Sequence, residues 1–185
     1  MDNGASSYRR FLDGDDTGIA EIVGDYKDGL ILYLNGYVGS IHIAEELTED
    51  TFFRLITRKP RYSGKSTFKS WLYAIGRNVA VDHIRRHSRI LGTPIEDMEA
   101  CLHEEESLER SYIKEERKIA VHRALSALPA DYRAVLWLVF FEGFSNREAA
   151  MILKKNDRQI RNLLYQAKRS LKSRLEKEGF VYEEL

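Results

Sequence analysis

Between Ser145 and Glu176 the chain carries side chains suited to reading nucleic acid rather than to breaking bonds. Ser145 followed by Glu148 is a capping box, and Asn156 followed by Gln159 repeats its logic. In each, a short side chain accepts from the backbone amide three residues on, and the later side chain reaches back. The turn Lys154-Lys155-Asn156 is long enough only to redirect the chain, which is helix-turn-helix spacing. In the second helix Ile160, Leu163, Leu164, Ala167, Leu171 and Leu175 recur at helical period and are expected to be buried. Arg158, Arg161, Asn162, Tyr165, Lys168, Arg169 and Lys172 fall on the other side. Cations hold phosphates, and amide or guanidinium groups read base edges, so this helix suits a DNA groove.

Bond-making chemistry finds little support. Gly64-Lys65-Ser66-Thr67 imitates the end of a phosphate-binding loop, but Lys59 stands where that motif needs a glycine, and Pro60 precedes it in place of a strand. His83 and His87 lie one helical turn apart without a third ligand at usable spacing, so they read as solvated or phosphate-facing histidines. Cys101 and His103 do not complete a metal site, and Asp82 reads as a partner of Arg85 or Arg86. No nucleophile stands beside a base. The chain reads as a binding protein and not an enzyme, with neither cofactor nor metal.

A second nucleic-acid signature precedes the first. Tyr62, Phe68, Trp71 and Tyr73 are interleaved with Arg61, Lys65, Lys69 and Arg77. Aromatic rings beside cations can stack unpaired bases while the cations hold the strand. Phe68 and Trp71 fall on an apolar stripe and read as core. Tyr62, Lys65 and Tyr73 fall off it and are the better contact candidates.

These groups sit on a chain of 185 residues whose net charge of zero hides a strong asymmetry. Residues 154–177 hold nine Lys or Arg against two acids. Residues 96–109 hold seven acids and no Lys or Arg, and residues 1–56 hold eleven acids against four bases. Opposed blocks suit two kinds of partner, one polyanionic and one basic. The single cysteine excludes an intramolecular disulfide. No segment approaches a membrane span, and the acidic N-terminus is unlike a signal peptide, so a cytoplasmic location is expected.

The elements that must position these residues are all helical. Residues 1–15 read as a polar N-terminal arm. From Ile19 to Val38 apolar residues recur at helical spacing, with Gly24, Gly29 and Gly36 expected to weaken that helix or split it. A second helix spans about 44–57, with Glu45, Glu46, Glu49 and Asp50 on its outer face. Pro60 ends it, a loop follows, and a third helix runs from about Thr67 to His87 on the core stripe Phe68, Trp71, Leu72, Ile75 and Val79. Residues 90–114 lose periodicity and read as a flexible acidic linker. A second domain begins near Glu115; Pro129 opens one of its helices, and Gly143 marks that helix's end. The expected fold is all-α: two small helical domains joined by the linker.

Three segments, in this order, resemble the sigma-70 family of bacterial RNA polymerase sigma factors. Ala44-Glu45-Glu46-Leu47-Thr48-Glu49-Asp50-Thr51-Phe52-Phe53-Arg54-Leu55 is similar to the core-binding part of region two. Phe68 to Asn78, continuing to Asp82-His83-Ile84-Arg85-Arg86, is similar to the helix that melts and reads the minus-ten element. Leu125-Ser126-Ala127-Leu128-Pro129 with the helix-turn-helix resembles region four, which reads the minus-thirty-five element. The linker leaves no room for region three, as in the compact extracytoplasmic-function (ECF) group. Departures from the pattern are Glu49 for a usual glutamine, Lys154 for the turn glycine, Lys155 for an apolar residue and Leu163 for a frequent arginine.

The resemblance implies transcription initiation at specific promoters, with region two over 16–89, region four over 115–178 and a tail at 179–185. It implies that Glu45, Glu46, Leu47, Glu49, Asp50, Phe53 and Arg54 bind core RNA polymerase on its clamp helices, with the flap as a further polymerase contact. It places Arg61, Tyr62, Lys65, Lys69, Tyr73, Arg77, Asn78, Arg85 and Arg86 on minus-ten DNA. It places Asn146, Arg147, Arg158, Gln159, Arg161, Asn162, Tyr165, Gln166 and Lys168 on minus-thirty-five DNA. An anti-sigma factor is a candidate partner, and the free chain is expected to be a monomer without membrane insertion. The rivals are a helix-turn-helix regulator with an N-terminal dimerisation or sensing domain, and a polymerase-binding decoy that does not initiate.

Overall fold

The computed structural model describes residues 3–91, 121 and 123–177, which are helical apart from turns and loops; no strand occurs among them. The acidic run, Cys101, His103 and the tail fall outside the described residues. The N-terminal unit has four helices: α1 (Asn3–Leu12), α2 (Thr17–Val38), α3 (Ile41–Arg58) and α4 (Phe68–Leu91). After the helical residues 123–126 come α5 (Ala130–Leu136), a wider helical turn (Trp137–Phe141), α6 (Asn146–Leu153) and α7 (Asp157–Lys177).

The N-terminal segment departs from the sequence expectation. It is a helix, and Tyr8 and Phe11 plug it into the core at 1% and 5% exposure. The Tyr8 ring packs on Phe68 and Trp71, and its hydroxyl donates to the Pro60 carbonyl at 2.8 Å. A β-carbon on Gly4 would come within 2.4 Å of the Phe68 ring, so this helix approaches α4 closely only because residue 4 has none.

α2 is a single helix: of the two outcomes expected of its glycines, weakening or splitting, they do not split it. Ile22, Leu30, Ile31, Tyr33, Leu34, Tyr37 and Val38 are buried along its length. That burial outweighs a propensity cost of about 1 kcal/mol per glycine. Left-handed Gly39 returns its amide to the Asn35 carbonyl at 2.8 Å and ends the helix. In α3 the buried Thr48 and Thr51 hydroxyls are satisfied by the carbonyls of Ala44 and Leu47, at 2.8 and 2.7 Å. Lys59 takes the left-handed conformation at its end, φ 43°, just before Pro60. α4 runs on through Leu91, into the start of the expected linker.

In the C-terminal unit both capping boxes form. Ser145 Oγ accepts from the Glu148 amide at 3.3 Å while Glu148 accepts from the Ser145 amide at 3.0 Å. Asn156 and Gln159 exchange the same pair at 2.9 and 2.8 Å. Lys154, between the helices, has φ 54°. That left-handed geometry is the reason a glycine suits the position. Ile160, Leu164, Ala167 and Leu175 are buried and lock α7 against α5 and α6. The units pack together, α4 against α6 and α2 against α5, in one continuous apolar core.

Candidate nucleic-acid and polymerase interface

α7 presents the expected reading face. Arg158, Arg161, Asn162, Tyr165, Gln166 and Lys168 are exposed, Tyr165 by 65%, and Asn146 and Arg147 are exposed at the start of α6. Two of these positions carry a second duty. The Gln159 carbonyl oxygen is spent on the Asn156 amide, so only its NH2 is left to donate. Lys168 Nζ rests over the Phe140 ring, 4.8 Å from its centre.

The acidic helix is also outward. Glu46, Glu49 and Asp50 are exposed, and Phe53, at 62% exposure, stands beyond them with Ile56. Glu45 and Arg54 are half-buried. Leu47 is 4% exposed and packs in the core behind that face. A pocket between α3 and α4 is lined by Leu47, Asp50, Val79, His83, Arg86 and His87. His83 and His87 stack with ring centres 5.8 Å apart. Burial, then the neighbouring His87 and Arg86 charges, hold His83 below the usual histidine range. Among the described residues no group of three or more side chains could hold a metal ion.

The minus-ten candidates separate into three sets. Arg61 and Lys65 are exposed on the loop, and Arg85 and Arg86 are exposed on the far part of α4. Tyr62 turns partly inward: its ring meets Phe68 edge-on and Trp71 at a tilt, and its hydroxyl donates to the Ser66 carbonyl. Asn78 is half-buried, and Arg77 has its Nε buried without a hydrogen-bond partner beside the Tyr33–Tyr37 hydroxyl pair. Arg77 in this conformation faces protein.

Lys69 and Tyr73 form the third set, and both are engaged by the C-terminal unit. Lys69 Nζ lies 2.8 Å from a Glu142 carboxylate oxygen and donates to the Glu142 carbonyl at 2.9 Å. Tyr73 was expected to project; instead it is 1% exposed, its ring meets Phe144 edge-on at 5.2 Å, and its hydroxyl bonds Glu142. Burial, then the adjacent Glu142 carboxylate, push that hydroxyl far above the tyrosine range, so it stays protonated. Two other donors of this region, Thr67 Oγ1 and Ser70 Oγ, reach Glu148 at 3.0 and 2.9 Å.

Glu142 and Glu148 are therefore the residues that hold these candidates, and neither was expected there from the sequence. Glu148 was visible only as a cap. Glu142 gave no signal, because what places it is the wider turn 137–141, closed by its own amide on the Trp137 carbonyl at 3.1 Å.

Comparison with known proteins agrees with the geometry. The family description Sigma-70 region 2 matches residues 22–90, and Sigma-70, region 4 matches residues 118–171. The ECF RNA polymerase sigma factor SigM of Bacillus subtilis is 26% identical over 84% of this chain and 93% of its own length. BldN of Streptomyces coelicolor, another ECF sigma factor, is 29% identical over 85% of this chain and 60% of its own length. In fold, the chain is similar to the sigma factor RpoE of Bartonella quintana, solved with the anti-sigma factor NepR. The TM-score is 0.70 at 22% identity, covering 85% of this chain and 96% of that one.

Proposed function

Because this chain belongs to the sigma-70 family of RNA polymerase sigma factors, in its ECF group, we propose a division of labour among its three outward surfaces. The chain directs promoter-specific transcription initiation with core RNA polymerase. Within that activity, the outer face of α3 docks on the clamp helices of the polymerase through Glu46, Glu49, Asp50 and Phe53. Loop 59–67 and α4 take the displaced minus-ten strand. α7 reads the minus-thirty-five duplex through Arg158, Arg161, Asn162, Tyr165 and Gln166, with phosphate contacts from Asn146 and Arg147. As a family of initiation factors, the sigma-70 proteins contribute binding energy and leave bond formation to the polymerase.

The observation that carries this reading is the coexistence of an exposed acidic-aromatic face on α3 and an exposed basic reading face on α7. Each belongs to its own helical unit, and each face falls within a family-matched segment. A duplex-binding regulator has no use for the first. The RpoE relative was solved bound to an anti-sigma factor, which supports an anti-sigma protein as a partner here. A cytoplasmic site of action fits a factor working on the chromosome, and no described helix is long and apolar enough to cross a membrane.

The test reverses charge at Glu46 and Asp50 together. Polymerase affinity should fall while binding of the minus-thirty-five duplex by the free chain stays unchanged. Undiminished polymerase affinity would remove α3 from the docking surface.

A further inference from the structure

We propose that α1 positions the loop 59–67: Tyr8 holds the loop's Pro60 carbonyl and the rings beneath it, and so sets the shape in which Arg61, Ser63 and Lys65 meet the minus-ten strand. The inference rests on the assignment of that loop to the strand. It adds Tyr8 as a positioning residue, in a helix that precedes the family-matched segment 22–90.

The loop between α3 and α4 contains neither helix nor strand, so its shape comes from the side chains that hold it. Near its start the Tyr8 hydroxyl donates to the Pro60 carbonyl at 2.8 Å. Lys59, in its left-handed conformation, sets its ammonium 4.9 Å from the centre of the Phe11 ring. Near its end the Tyr62 hydroxyl donates to the Ser66 carbonyl. Between these ties the Tyr62 ring lies on Phe68 and Trp71, with centres 5.7 and 5.2 Å apart. Tyr8 packs on the same two rings, at 5.5 and 5.4 Å. Tyr8 and Tyr62 therefore share one aromatic floor, and Gly4 lets α1 lie close enough to complete it.

The Tyr8 hydroxyl is the informative atom. At 1% exposure, a phenylalanine would fill the same space without a polar group to satisfy. Its partner is not in α1 or α2 but in the backbone of the loop. Arg61, Ser63, Gly64 and Lys65 stand exposed between the two tied carbonyls. A loop shaped before binding discriminates, because a wrong base meets a surface that does not adjust to it. A loosened loop adapts to right and wrong bases alike.

Tyr8→Phe removes the hydroxyl and keeps the ring, and Tyr8 is assigned to neither polymerase nor DNA. Holoenzymes carrying the wild-type or Tyr8→Phe chain would be compared on promoters with each minus-ten and minus-thirty-five base changed singly. The quantity read is the ratio of initiation on the preferred promoter to that on each altered one. Val38→Ala is the control: it trims a buried side chain at the α2–α3 corner. That corner is the far end of α3 from the loop, 18 residues or about 27 Å along the helix. In Tyr8→Phe some minus-ten ratios should fall by about threefold or more, the worth of one hydrogen bond. Minus-thirty-five ratios and affinity for core polymerase should keep their wild-type values, and Val38→Ala should leave both sets of ratios unchanged. Minus-ten ratios at or above wild type in Tyr8→Phe would overturn the proposal. So would a parallel loss at both elements, or an equal loss in Val38→Ala, since either would make Tyr8 a packing residue only. The paired Arg61→Ala and Lys65→Ala substitutions test the underlying assignment separately. Undiminished promoter opening by that holoenzyme would remove the loop from the strand contacts, whatever Tyr8→Phe does.

Discussion

At the scale of single residues, Tyr8 and Arg161 illustrate two kinds of importance. Tyr8 is buried, donates to the Pro60 carbonyl, and has its hydroxyl pushed up to about 12 by burial. Tyr8→Phe keeps the ring packing and leaves that carbonyl short of a donor, which should cost about 1 kcal/mol in chemical denaturation. A loss under a few tenths would mean that water replaces the hydroxyl. Arg161 is exposed and is proposed to read the duplex, so Arg161→Ala should leave stability unchanged and lower use of the minus-thirty-five element by about tenfold or more. Equal weakening of polymerase binding in a pull-down would contradict that role. Residue identity alone separated core from surface well where one apolar stripe governs, as with Phe68, Leu72 and Val79. It misread Tyr73. Tyr73 lies off the stripe facing one core, but a second unit packs on that side, and no local period reports it.

At the scale of elements, caps and turns were the most legible features, because their chemistry is local. Both capping boxes stand where the spacing put them. Lys154 occupies a left-handed position that costs an L-residue about 1–2 kcal/mol. Lys154→Gly should therefore raise stability by up to about 1 kcal/mol, after glycine's own entropy cost. A fall in the thermal midpoint would show that the lysine makes a compensating contact. Glu148 offers a pH prediction. Burial raises its pKa, but the Ser145, Ser70 and Thr67 hydrogen bonds together win and leave it below the usual glutamate value. A depressed folded pKa gives stability present above the unfolded value and lost as pH falls through the folded one. The chain should lose stability as pH drops below the ordinary glutamate range, and Glu148→Gln should flatten that part of the curve. α1 was missed because its period is too short to stand out: Ala5, Tyr8, Phe11 and Leu12 recur at helical spacing over only ten residues, and the helix exists because α2 and α4 supply its partner surface.

At the scale of the molecule, the order of segments was readable and their mutual arrangement was not. The aromatic-basic helix, the acidic helix and the helix-turn-helix each announce themselves in sequence. The seam that joins them is made by Glu142, Gly29 and Arg133, residues without a motif, brought together by a turn of unusual width. Electrostatics at this scale also set conditions for study. Phosphate contacts supply much of the affinity of such proteins and weaken steeply with salt, so promoter affinities should be compared at one ionic strength.

This chain confers promoter specificity on a polymerase. The most direct test is transcription in vitro with purified core RNA polymerase and this chain on a library of randomised promoters. Initiation should require both components and should select two short elements, one read by α7 and one melted over α4. Failure to initiate, together with sequence-specific duplex binding by a homodimer of the chain alone, would contradict this.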